Sequence, residues 1–135
     1  MRTIVVLIVL GFAGWGFAGA AQANPNPCPG ALPRPGATFG GVVRFVLDGD
    51  TLCVSEKPYF KTWTKVRLSD FDAPELNRPG GERAKAALED IALGQRVVCV
   101  SGGRSLDRVM ARCTIVKKGI GALMRDAGIE QGGDR

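Results

Sequence analysis

The sequence contains no histidine, only one tyrosine and two tryptophans, and, past its first 23 residues, no long apolar run. The missing imidazole excludes Ser-His and Cys-His nucleophile pairs, His-ligated zinc and imidazole acid-base catalysis together. Hydrolytic chemistry in such a chain has to rest on carboxylates, arginines and an oxygen-seeking metal. The missing apolar run excludes a membrane span beyond the N-terminus. Length leaves room for one domain only, since 112 residues remain once residues 1–23 are set aside.

Those first residues carry Arg2, an apolar stretch over 4–17 and the small-residue ending Ala21-Gln22-Ala23, the layout of a secretory signal peptide cleaved after Ala23. Gly11, Gly14, Gly16 and Gly19 interrupt the stretch and no basic cluster follows it, which favours a leader over an anchor. The product is expected to be secreted, periplasmic or extracellular, with no membrane anchor after cleavage, no stable protein partner, and a monomeric state. Eighteen Lys and Arg against 13 Asp and Glu give +5, or +4 once Arg2 is removed, a balance that suits polyanionic partners such as nucleic acid. Cys28, Cys53, Cys99 and Cys113 are too widely spaced for a zinc motif and, in an oxidising compartment, read as two disulfides.

Residues 24–39 are rich in proline and glycine and read as an arm fastened by Cys28; residues 40–135 read as the folded domain. The pattern predicts strands over 42–47, 51–54 and 63–69, a helix over 80–93, strands over 96–101 and 109–116, and a short helix over 120–127. Asp48-Gly49 marks a tight turn, and Ala84, Ala87, Leu88 and Ile91 recur at helical spacing before a stop at Gly94. Residues 102–107 are expected as a loop. The sum is a mainly β (α+β) domain whose strand count suits a five-stranded Greek-key barrel of the oligonucleotide-binding type, with one main helix and a short C-terminal helix.

Two acidic clusters, Asp48-Gly49-Asp50-Thr51 and Asp70-Phe71-Asp72-Ala73-Pro74-Glu75, lie where strands meet turns. Either alone can be mere turn chemistry. Together they can converge at one barrel end as hard oxygen donors suited to calcium, with Pro74 restricting the backbone of Ala73. Arg67 shares the segment of the second cluster and, by strand parity, points away from Val66 and Leu68. A guanidinium beside a metal site makes sense if the ligand is a phosphate. Pairing with Glu75 or Asp70 is the plainer alternative.

The runs Val46-Leu47-Asp48-Gly49-Asp50-Thr51 and Val66-Arg67-Leu68-Ser69-Asp70-Phe71-Asp72-Ala73-Pro74-Glu75 closely resemble two signature segments of the staphylococcal nuclease (thermonuclease) family, and Arg108-Val109-Met110-Ala111-Arg112-Cys113 resembles the third. The resemblance covers residues 42–128 and implies the five-stranded barrel. It implies that Asp50, Asp72 and the carbonyl of Ala73 hold Ca2+, that Glu75 is the general base, and that Arg67 and Arg108 bind the scissile phosphate. The implied activity is calcium-dependent endonucleolytic hydrolysis of DNA and RNA with little sequence preference, leaving 3′-phosphate ends. A catalytically silent barrel that binds nucleic acid is the alternative. Leu106 stands where the family often has a tyrosine near the nucleotide, and Arg112 rivals Arg108 as the second arginine. Lys65 and Arg104 are expected near substrate, while Tyr59, Phe60 and Trp63 are candidates for base stacking. Four cysteines permit three pairings; neighbouring fourth and fifth strands favour Cys99 with Cys113, leaving Cys28 for Cys53.

Overall fold

The computed structural model describes residues 26–132 together with Gly14, Gly16 and Gly19, so apart from those three glycines the predicted signal peptide, with its cleavage point, falls outside the described residues. Among the described residues no helix is long and apolar enough to cross a membrane. Chain order is β1 (Thr38–Asp48), β2 (Thr51–Ser55), a 3-10 turn (Phe60–Thr62), β3 (Thr64–Leu68), α1 (Gly81–Ala92), β4 (Arg96–Ser105), β5 (Arg108–Ile115), β6 (Lys118–Gly119) and α2 (Ile120–Asp126). The strands hydrogen-bond in the order β3-β2-β1-β4-β5-β6, and β5 also pairs with β3. That extra pairing, parallel where the others are antiparallel, joins the two sides of the sheet and is consistent with the expected barrel.

Alternation builds the interior: Val66 and Leu68 of β3, Val97 and Cys99 of β4, and Val109, Ala111 and Cys113 of β5 are buried with Val43, Val46, Leu52 and Val54. One face of α1 covers this core through Ala84, Leu88 and Ala92, while Phe71, Ile120 and Met124 close it from the acidic loop and α2. Gly49 explains how the first turn packs so tightly. A Cβ there would lie 2.6 Å from the methyls of both Ala73 and Ala84, so only glycine lets the turn touch the acidic loop and α1 at once.

Several expectations need correction. β1 begins at Thr38, inside the stretch assigned to the arm. The predicted loop over 102–107 is mostly strand: Arg104 and Ser105 pair with Val109 and Arg108 after a bulge, leaving a hairpin turn at Leu106-Asp107. A sixth strand of two residues, β6, extends the sheet beyond β5.

The arm runs along the sheet rather than hanging free. Pro29 bridges to Thr64, the Gly30 amide donates to the Trp63 carbonyl at 2.8 Å, and the Gly36 amide donates to the Ser101 carbonyl at 2.8 Å. Two disulfides join Cys28 to Cys53 and Cys99 to Cys113, the favoured pairing. Cys28–Cys53 closes a span of 25 residues. Replacing both with alanine is expected to lower unfolding free energy by about 2 to 4 kcal/mol, read as a shifted denaturant midpoint with the m-value retained.

Candidate active site

The candidate residues gather where the end of β3 meets the β1–β2 turn. Thr51 pairs with Arg67 across β2 and β3, and the Leu68 amide donates to the Asp50 carbonyl at 2.8 Å. Asp48 orders the turn by accepting from the Asp50 amide at 3.0 Å. The two acidic clusters, 20 residues apart in sequence, thereby share one backbone frame.

Arg67 ties that frame together. Its Nη2 lies 3.2 Å from Asp50 Oδ2 and 2.8 Å from Asp72 Oδ1, while Nη1 donates to the Phe71 carbonyl at 2.8 Å and to the Leu68 carbonyl. The plainer pairing with Glu75 or Asp70 is not the one formed. Asp50 is largely buried, accepts from the Ala73 amide at 2.8 Å and from the Thr51 hydroxyl at 3.1 Å. Burial pushes its carboxyl up to about 7, with neighbouring Asp48 adding to the rise, against the opposing pull of the Ala73 amide and Arg67.

A positive nitrogen already sits between two carboxylates, a position that a divalent cation could share. The donors are hard oxygens, one of them on a buried, poorly solvated carboxylate that a cation would stabilise in its charged form. Among the described residues no three carboxylate or thiol side chains gather around one point. Two carboxylates with a main-chain carbonyl and water would therefore have to complete the shell. Such a set suits calcium, which tolerates irregular geometry.

The Asp50 shift fixes a pH dependence for the metal-free protein. Its folded value lies above the ordinary carboxyl value, so its stabilising contribution is complete below about pH 4 and is lost as pH rises through about 7. Thermal unfolding in chelator is expected to show stability falling by about 2 to 4 kcal/mol between pH 4 and pH 8 from this group. Asp50→Asn should flatten the profile.

Glu75, three residues after Asp72, is exposed, with its carbonyl accepting from the Arg78 amide at 2.9 Å as the chain turns toward α1. Among the described residues its carboxylate has no ion pair, whereas Asp50 and Asp72 both lie against Arg67. Gly81 lets α1 start against it: a Cβ at Gly81 would fall 2.0 Å from the Glu75 carbonyl oxygen. Asp70, by contrast, faces α2, where its Oδ2 accepts from the Gly121 amide at 3.1 Å.

The two candidate second arginines are placed evenly by register. Met110 is the β5 partner of Arg67, and Arg108 and Arg112 lie two residues before and after it, on the same strand face. Arg108 is half-buried at the hairpin, its Nε 3.4 Å from Asp107 Oδ1. Arg112 is exposed within the strand, near Gly119 and Asp70.

Lys65 and Arg104 are not placed as expected. Lys65 is only 8% exposed and its Nζ donates to Asp107 Oδ2 at 2.8 Å. That ion pair holds the Asp107 carboxyl below its ordinary value. The reason is the arm: Lys65 pairs with Cys53 across β2–β3, and the disulfide to Cys28 draws the arm over that face. Arg104 donates to the arm carbonyl of Leu32 at 2.8 Å. Both cations are engaged in fixing the arm and the β4–β5 hairpin. Tyr59 and Phe60 are exposed on the 3-10 turn, and Trp63 is half-buried.

What fold and site define together is a small, mainly β protein with two carboxylates and an arginine converged at one end of a strand. Over 61 residues the chain is 41% identical to a micrococcal nuclease of Shigella flexneri, a match covering 45% of this chain and 33% of that protein. The similarity thus spans about a third of the relative's length. No family model matches the chain.

Proposed function

We propose that this protein is a calcium-dependent endonuclease that hydrolyses phosphodiester bonds of DNA and RNA with little sequence preference, acting outside the cytoplasm. The observation that carries the reading is Arg67 held between Asp50 and Asp72, with the exposed Glu75 three residues further along the same loop. The partial similarity to a protein named a micrococcal nuclease supports it.

In this reading Asp50, Asp72 and the Ala73 carbonyl hold calcium, which would polarise a phosphoryl oxygen and offset charge in the transition state. With the carboxylates so engaged, Arg67 is free to turn its paired nitrogens to two phosphate oxygens, a planar fit that lysine lacks. Arg108 would grip the same phosphate from β5. Glu75, exposed, accepts a proton from the attacking water, placed in line with the departing 5′ oxygen. Two carboxylates plus a third on the same loop repel a bare phosphate backbone, which weighs against the silent nucleic-acid-binding barrel.

Incubating the mature protein with plasmid DNA, with calcium and with chelator, tests the reading. Nicking and linearisation in calcium alone are expected. DNA retained on a gel without cleavage in either condition would leave the silent barrel instead.

A further inference from the structure

Beyond α2 the chain doubles back onto the acidic loop. Gly128, with φ of +75°, ends the helix in the left-handed conformation, and the Ile129 amide donates to the Met124 carbonyl at 3.1 Å. Ile129 is buried and anchors the turn to the core. The following residues then bracket a single residue, Asp72. The Asp72 amide donates to Gln131 Oε1 at 2.9 Å, and the Gly132 amide donates to the Asp72 carbonyl at 3.1 Å. Gly132 also approaches Pro74 so closely that a Cβ on it would lie 2.9 Å from the proline Cγ.

Asp72 is thus fixed from both sides along its backbone, while its carboxylate points to Arg67. Nothing else in the loop does this work: the Ala73 amide is given to Asp50, and Phe71 gives its carbonyl to Arg67. We propose that residues 129–132 form a strap that positions Asp72, with Gln131 as its principal positioning residue. The strap sets the direction of the Asp72 carboxylate before any ligand arrives. The consequence for calcium rests on the nuclease reading above; the holding of the Asp72 peptide does not.

The strap predicts a local effect that a general loss of stability would not produce. In metal-free protein, followed by two-dimensional NMR, Gln131→Ala is expected to speed hydrogen exchange of the Asp72 amide about tenfold, with amides of β1 and β4 unchanged. Gln131→Glu keeps an acceptor oxygen at the same reach and is expected to keep the protection. Gly132→Ala, which crowds Pro74, should speed exchange as well. Calorimetric titration with calcium should then show affinity about five- to tenfold weaker in Gln131→Ala than in wild type. Wild-type exchange at Asp72 in both Gln131→Ala and Gly132→Ala overturns the strap, and so does faster exchange with calcium affinity unchanged. A wild-type protein that binds no calcium removes the nuclease reading, and the exchange comparison alone then decides whether the strap holds Asp72.

Discussion

Arg67→Ala is expected to lower the rate of calcium-dependent DNA cleavage by two to three decades, an effect of about 3 to 4 kcal/mol on the barrier. The guanidinium makes four contacts, two to carboxylates of the two acidic clusters and two to main-chain carbonyls. Its removal deletes a phosphate donor and also leaves Asp50 and Asp72 facing each other uncompensated. Arg67→Lys separates these losses. A lysine can still neutralise the carboxylates but offers one point charge instead of a planar pair of donors. Folding should therefore be retained while most of the rate defect remains, visible as a near-normal melting temperature beside a depressed single-turnover rate.

Glu75→Gln is expected to have an effect at least as large, a loss of about two to four decades from removing the proposed general base. The substitution preserves shape and leaves the Glu75 carbonyl and its turn to Arg78 intact, so stability should change little. A loss confined to turnover, with calcium affinity and DNA binding close to wild type, is the expected pattern. Calcium affinity falling with turnover would instead make Glu75 a metal ligand.

These residues could be read in the sequence because their placement depends on local grammar. Strand parity sets Arg67 opposite Val66 and Leu68, and Asp48-Gly49 marks the turn that carries Asp50. The helix over α1 was likewise legible from Ala84 and Leu88, both fully buried. What escaped depends on contacts distant in sequence. Lys65 obeys the same parity as Arg67, yet the disulfide-tethered arm covers it and Asp107 neutralises it, 42 residues away. Gly102-Gly103 reads as loop, but β5 supplies partners that carry β4 on to Ser105. Asp70 belongs to the acidic motif by sequence and to the start of α2 by structure. The strap has no periodicity or turn signature beyond Gly128, since its role exists only against Asp72, 59 residues earlier.

One consequence is a narrower view of the substrate face. With Lys65 and Arg104 committed to the arm and hairpin, cationic contacts to a phosphate backbone fall to Arg67, Arg108 and Arg112 along β3 and β5. These lie on one face in neighbouring strands.

The most direct measurement is the initial rate of plasmid cleavage in saturating calcium for wild type, Arg67→Ala and Glu75→Gln, each repeated in chelator. Cleavage by wild type alone, abolished by chelator and reduced at least a hundredfold in both variants, is the expected result. Equal rates in all three proteins, or no cleavage by wild type in calcium, would contradict a nuclease centre built on Asp50, Arg67, Asp72 and Glu75.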